Sequence, residues 1–366
     1  MKLLLWSTPI GFLGSGAGGG VELTLINVAQ GLMQRDHEIT VLAPVGSAIG
    51  VQRLLNPAIA AAQDIQVLEV AGVAPASAQH QDRNSPVVIP AHSVLGSMGQ
   101  KVLQMQGAFD AILNFAYDWL PLYLTPFLAT PLAHVISMGS LSEVMDEAIA
   151  QVMDRFPQRI GVHSKAQSAT FAGGDRCRCL GNGLDLSRYH FNPHPQPCLG
   201  WVGRITPEKG LEDAFAAVAQ CQIPLKVWGA LENPDYWQRL QAQYPQAPVT
   251  YGGFLPTTEL QAQLGQCQGL LMTPRWLEAF GNVAMEALAC GVPVIAYDRG
   301  GPSEIVRSGT TGWLVEPDSV AGLVAAVEHL PDLDRWACRQ QAEAEYSLAA
   351  LGDRYEQWLQ AILADA

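Results

Sequence analysis

Two carboxylates eight residues apart, Glu278 and Glu286, bracket a glycine turn in Glu278-Ala279-Phe280-Gly281-Asn282-Val283-Ala284-Met285-Glu286. Gly281 or Asn282 is a suitable N-cap, and Gly291-Val292-Pro293 is a stop before a strand, so a short helix is predicted between them. Glu278 then lies in the loop ahead of the helix and Glu286 in its first turns. An anion held by the unpaired N–H groups of the helix start would have one carboxylate on each side. Carboxylates there suit the paired hydroxyls of a ribose or a hexose, each such bond contributing about 1.5–3 kcal/mol. The helix dipole alone accounts for a single Glu near a helix start. It does not account for the loop Glu, the Phe-Gly-Asn turn and the Gly-x-Pro stop arriving together.

A second group is Trp201-Val202-Gly203-Arg204-Ile205-Thr206-Pro207-Glu208-Lys209-Gly210. A strand delivers Arg204 at its end, and Lys209 follows just before a helix. Two cations at the C-terminal edge of a parallel sheet can neutralise a diphosphate; the plain alternative is a surface loop with incidental charges. A third is Gly14-Ser15-Gly16-Ala17-Gly18-Gly19-Gly20, where glycines let backbone N–H groups approach a negative group at a helix start. It contains a formal G-x-G-x-x-G at 14, 16 and 19. A dinucleotide-binding oxidoreductase is disfavoured, because the glycines start well after the first strand and the second strand ends Val41-Leu42-Ala43-Pro44 without an acid.

These groups need a scaffold of βα units. Apolar runs predict strands at 2–6, 38–43, 64–70, 110–114, 132–136 and 159–163, then at 198–202, 225–229, 249–252, 269–272 and 293–297. Amphipathic stretches such as 22–35 and 211–220 lie between, which reads as two doubly wound parallel sheets in series. Pro193, Pro195 and Pro197 interrupt both helix and central strand, placing the boundary at 191/192. The Ala/Gln-rich stretch 71–81 reads as an exposed loop.

Composition bounds the partners. The chain has 366 residues, 21 Lys+Arg and 34 Asp+Glu, a net charge of −13, with 49 % hydrophobic residues. That excludes a disordered chain and leaves no basic surface for nucleic acid or anionic lipid. No run is long enough to span a membrane, and Ser7, Thr8, Pro9 and Gly11 interrupt any leader core. Seven scattered cysteines suit free thiols in the cytoplasm, and Cys177-x-Cys179 lacks the second pair a zinc site needs. Asp332-Leu333-Asp334 reads as acids at a helix start rather than a metal motif. No metal and no cofactor are expected, and the oligomeric state is not legible.

Taken in order, these motifs resemble the retaining glycosyltransferases of family 4, which have the GT-B architecture. The likeness runs through Gly18–Glu22, Asp118-Trp119-Leu120, Gly181-Asn182-Gly183-Leu184-Asp185, Gly203-Arg204, Lys209-Gly210, Glu278 to Glu286, Gly300 to Val306 and Thr311 to Val315. It implies an α/β fold of two Rossmann-like domains facing a cleft. Residues 1–191 with a crossover helix 347–366 would bind acceptor; residues 192–346 would bind a nucleotide sugar. By this resemblance Arg204 and Lys209 contact the donor diphosphate, Glu278 the donor sugar and Glu286 the ribose. Gly19, Gly20, Gly203 and Phe280, Gly281, Asn282 and Val283 supply donor contacts, and Phe254 and Leu255 border the base. Where the family often carries a His, this chain has Ser137, next to Met138; His134 comes three residues early and reads as a core residue. Ser137, Met138 and Asp118 are the acceptor-side candidates.

A narrower likeness, carried by 7–11, 14–16 and 18–25, is to the UDP-glucose:tetrahydrobiopterin glucosyltransferases of cyanobacteria. It implies UDP-glucose as donor, a reduced pterin as acceptor and a metal-independent retaining transfer. Asp118 between Tyr117 and Trp119 would suit a 2-aminopyrimidinone ring. The alternatives are a relative with another donor sugar or acceptor, a GT-B sugar-nucleotide epimerase, or a sugar-binding module without turnover.

Overall fold

The computed structural model describes residues 1–76 and 81–365. The chain divides into two units, residues 1–183 with 348–366, and residues 184–347. Both are α/β. Four residues of the loop expected at 71–81, namely 77–80, lie outside the described residues.

The first unit has seven parallel strands: β1 Lys2–Trp6, β2 Glu38–Pro44, β3 Gln66–Val70, β4 Ala111–Asn114, β5 Leu132–Val135, β6 Ile160–Val162 and β7 Arg178–Cys179, in the order β3-β2-β1-β4-β5-β6-β7. The second has six: β8 Gln196–Val202, β9 Leu225–Trp228, β10 Val249–Tyr251, β11 Cys267–Met272, β12 Val294–Tyr297 and β13 Gly312–Val315, in the order β10-β9-β8-β11-β12-β13. Apolar runs make the central strands because both their faces are covered, while β3, β7 and β10 are only partly buried or exposed. In β1, Leu3 and Leu5 join one core layer while Leu4 and Trp6 join the other. In β12, Ile295 and Tyr297 alternate in the same way with Val294 and Ala296. Each order reverses once, between β1 and β4 and between β8 and β11. Ligands of doubly wound sheets bind beyond the C-terminal ends of the strands at such points.

The sequence reading misses β7, two exposed residues, and reads β13 only as part of a motif. The expected boundary at 191/192 moves to 183/184. Leu184 and Tyr189 are buried in the core of the second unit, and Leu184 N–H donates to Tyr346 O at 2.7 Å. Arg339 Nη1 donates to Tyr189 O at 2.7 Å, so the segment is tied down before the prolines begin. The last of them, Pro197, is tolerated near the start of β8 because the register with β11 slips between Cys267 and Gly269.

The helix Leu348–Ala364 completes the first unit. Its Leu351, Tyr355, Trp358, Leu359 and Ile362 fill the same layer as Leu3 and Leu5. Arg35 and His37 clasp Glu356, at 2.5 and 3.0 Å, and Trp358 Nε1 donates to Gln158 O at 2.6 Å. Gly352 lies against Gly31 of the helix Gly20–Met33 so closely that a Cβ on Gly352 would stand 2.3 Å from Gly31 O. Gly352→Val is therefore expected to destabilise the protein by about 1–3 kcal/mol. Urea unfolding checks this, with proteolysis entering first at the loosened helix.

Among the described residues no helix is long and apolar enough to cross a membrane.

Candidate active site

In the second unit the chain leaves β8 at Gly203, whose N–H donates to Trp228 O at 3.0 Å and carries the ladder past the strand end. Arg204 follows, then a tight turn Pro207–Lys209 and the helix Leu211–Cys221. Beside it β11 ends and the chain runs through residues 273–281 into the helix Asn282–Ala289. Thr273 Oγ1 donates to Gly210 O at 2.7 Å, and Arg275 reaches Glu212 at 3.0 Å and Asp213 at 3.2 Å. These bonds pin the loop after β11 to the loop after β8. Both loops open at the point where the strand order reverses, so the fold brings together Lys209 and Glu278, which are far apart in sequence.

Lys209 Nζ stands 2.6 Å from Glu278 Oε2, and both side chains are less than one-fifth exposed. Arg204 pairs with Glu208 at 3.2 Å and Glu232 at 3.1 Å. Both cations expected to meet a diphosphate therefore have carboxylate partners in the structure. Two cations meet three carboxylates, a local balance of −1. A diphosphate must share Lys209 with Glu278 and take Arg204 from exposed carboxylates, an exchange of one oxyanion partner for another.

Gly281 is the N-cap of the helix Asn282–Ala289 and is left-handed, at φ 95°. Phe280 is buried and meets Tyr346 edge-on at 6.3 Å between centroids, so its side chain belongs to the core. Behind this loop Gly301 N–H donates to Glu278 O at 2.7 Å. A Cβ on Gly301 would come within 2.3 Å of Phe280 backbone, which explains the Gly300-Gly301-Pro302 motif as a close-approach platform. Glu286 lies inside the helix, 8 % exposed. Burial pushes its carboxyl up to about 7, an effect the Gln261 side chain only partly offsets. Phe254 is 71 % exposed, while Leu255 packs on the cluster of Cys198, Trp228 and Cys267.

In the first unit the glycine loop follows β1 and faces the same kind of strand-order reversal. Its N–H groups are not waiting for an external anion. Gly14, Gly16 and Gly18 donate to the Glu22 carboxylate at 2.7, 3.3 and 2.7 Å, and Ser15 Oγ at 3.2 Å. Glu22 is 4 % exposed, and the loop folds around it as around a bound anion. Gly19 is the N-cap of the helix Gly20–Met33, and its own N–H donates to Gly16 O. The sequence pointed to Glu22 only as a motif position; an acid two residues into a helix after a glycine run is the signal that could have found this role.

Asp118 has a structural task. Its carboxylate caps the helix Trp119–Leu124, accepting from Leu120 N–H at 3.3 Å, and burial raises its pKa. Trp119 stacks on Tyr123 at 4.5 Å. Ser137 and Met138 are half-buried beyond β5, where Met138 O accepts from Gln167 at 2.9 Å. His134 is fully buried between Asn114 and Thr125, and burial lowers it to about 3, as suits a core imidazole. Asp334 caps the helix Arg335–Glu345 and Asp332 pairs with His329, so the Asp-x-Asp acids belong to a helix start. Among the described residues no group of three or more His, Cys, Asp or Glu is placed to hold a metal.

Residues 186–345 match the family described as Glycosyl transferases group 1. The chain is 36 % identical over 174 residues to a glycogen synthase of Mycobacterium tuberculosis, covering 44 % of this chain and 41 % of that protein. It is 33 % identical over 144 residues to a GDP-mannose-dependent alpha-mannosyltransferase of Mycolicibacterium smegmatis, covering 39 % and 37 %. The alignments span about two fifths of the length of these curated relatives. In fold it is similar to the Anabaena protein HepE solved with UDP and glucose, with TM-score 0.74, 21 % identity, and 99 % and 100 % of the two chains covered. It is also similar to sucrose-phosphate synthase of Thermosynechococcus elongatus, with TM-score 0.75, 17 % identity and 100 % of both chains covered. The fold class is thus α/β of the GT-B kind, and the second unit carries the sequence match to group 1 glycosyltransferases.

Proposed function

We propose that the chain is a glycosyltransferase that takes a nucleotide sugar, UDP-glucose first among candidates, and moves the sugar with retention to a small acceptor. The Lys209–Glu278 pair carries this reading. A cation and a carboxylate paired at the C-terminal ends of β8 and β11, beside a glycine-capped helix start, support a site for a diphosphate joined to a sugar. Breaking the anomeric C–O bond builds negative charge on the departing diphosphate. Lys209, Arg204 once released from Glu208 and Glu232, and the N-terminus of the helix Asn282–Ala289 stabilise that charge without a metal. Glu286 takes the ribose hydroxyls, Phe254 and Leu255 border the base, and backbone at Gly203 and 280–283 completes the donor site.

The names of the relatives support a nucleotide-sugar donor. HepE, solved with UDP and glucose, favours UDP-glucose, while the mannosyltransferase keeps GDP-mannose in the comparison. A reduced pterin such as tetrahydrobiopterin is the first acceptor to test, with Asp118, Ser137 and Met138 on the acceptor side. The charge balance and the free thiols suit a cytoplasmic enzyme working on a soluble acceptor.

Mass spectrometry of UDP-glucose or GDP-mannose incubated with tetrahydrobiopterin and a panel of other acceptors tests the proposal. The expected products are UDP and an α-glucosyl pterin. Conversion of another acceptor instead removes the pterin and keeps the transferase. A changed sugar nucleotide without any acceptor indicates an epimerase, and binding without turnover a sugar-binding module.

A further inference from the structure

Trp276, in the loop after β11, touches both members of the Lys209–Glu278 pair. Its indole Nε1–H donates to Glu278 Oε2 at 3.0 Å, the oxygen that also takes Lys209 Nζ at 2.6 Å. The Lys209 ammonium lies 4.7 Å from the centroid of the Trp276 ring. The edge of one aromatic residue thus faces the carboxylate and its π face the ammonium. Glu278 Oε2 carries two donors, whereas Oε1 has no hydrogen-bond partner among the described residues. An N–H that fixes one carboxylate oxygen also fixes the direction of the other. The backbone around Trp276 is itself held. Arg275 on one side is bound to Glu212 and Asp213, and Glu278 O on the other takes the Gly301 N–H.

We propose that Trp276 is a positioning residue for the donor sugar: it locks Glu278 through Oε2 so that Oε1 stays open to a sugar hydroxyl, and it keeps Lys209 beside that carboxylate for the diphosphate. This rests on the donor reading above. Trp276→Phe separates the two contacts, since the phenyl ring keeps a face for Lys209 and loses the N–H. The sugar-dependent part of binding should therefore fall while the diphosphate-dependent part holds.

Calorimetric titration of the full chain with UDP and with UDP-glucose reads this directly. Trp276→Phe should bind UDP within about twofold of the wild type and UDP-glucose about five- to tenfold more weakly. In a Glu278→Gln background the same change should add nothing further. Unaltered UDP-glucose binding in Trp276→Phe overturns the proposal. So does an equal loss for both ligands, as a loosened loop would give, or an undiminished effect in the Glu278→Gln background. A ligand-independent arm uses the indole N–H resonances of ¹⁵N-labelled protein. The signal that Trp276→Phe deletes must shift in Glu278→Gln, and an unshifted signal means that the bond does not exist. A wild type that binds neither ligand brings down the donor reading and this inference with it. The other outcomes require a wild type that binds, so the two failures are distinguishable.

Discussion

Lys209→Ala should lower kcat for sugar transfer about 10²–10³-fold, measured at saturating nucleotide sugar and acceptor. The size follows from the role proposed for Lys209 at the moment of bond breaking. In that role it meets the additional negative charge that builds on the departing diphosphate in the transition state, and losing one such donor costs about 2.7–4 kcal/mol. The variant also leaves Glu278 without its partner at a site less than one-fifth exposed. Removing one partner of a mostly buried ion pair is costly in itself. Both defects act on one arrangement, so Lys209→Ala combined with Glu278→Ala should be far less harmful than the product of the two single losses. Lys209→Ala retaining kcat within about threefold of the wild type would assign the pair to stability alone.

The second large effect is a pH dependence of nucleoside binding. The Glu286 carboxyl titrates near 7 because it is buried. In the proposed donor site the ribose hydroxyls donate best to its ionised form, so binding there should expel the proton and lower that pKa. The sign is fixed: affinity for uridine should rise with pH up to about 7 and then level off. Between pH 6 and pH 8 the gain is about tenfold, since one proton is released per ligand. Uridine is the appropriate probe because it has no phosphate that titrates in this range. The neighbours are silent there, as burial pushes Cys290 up to about 12 and Tyr189 well above its ordinary value. Glu286→Gln should bind more weakly and show a flat profile. Stability carries the same signature. The folded protein holds this proton more tightly than the unfolded chain, so the cost of burial is absent below the ordinary carboxylate pKa. It grows as pH rises towards 7 and is complete above it.

The central strands were legible because each is an apolar run wetted on neither face, and periodicity reads burial directly. The turn ahead of Asn282–Ala289 was legible because Gly281 and the Gly-x-Pro stop are backbone signals. Partnerships were not legible. Nothing in the spacing shows that Glu232, 28 residues from Arg204, will neutralise it. Nor does a glycine run disclose that its donors turn inward to Glu22, because any carboxylate within reach satisfies them. Asp118 stood out for its aromatic neighbours, yet its position just before a helix is that of a cap. Trp276 was passed over because a lone aromatic two residues before an acid has many ordinary uses. Its role depends on an edge and a face that only coordinates display.

Tyr355, Trp358 and Leu359 pack in a core layer of a sheet whose last strand ends at Cys179, before the second unit begins. On a ribosome, residues 184–347 emerge and can mature while β1 to β7 still lack one wall. The amino-terminal half therefore waits in an unfinished state for the carboxyl-terminal helix. Expressed alone, residues 1–183 should be recovered as aggregate, and a separately supplied peptide of residues 348–364 should rescue them.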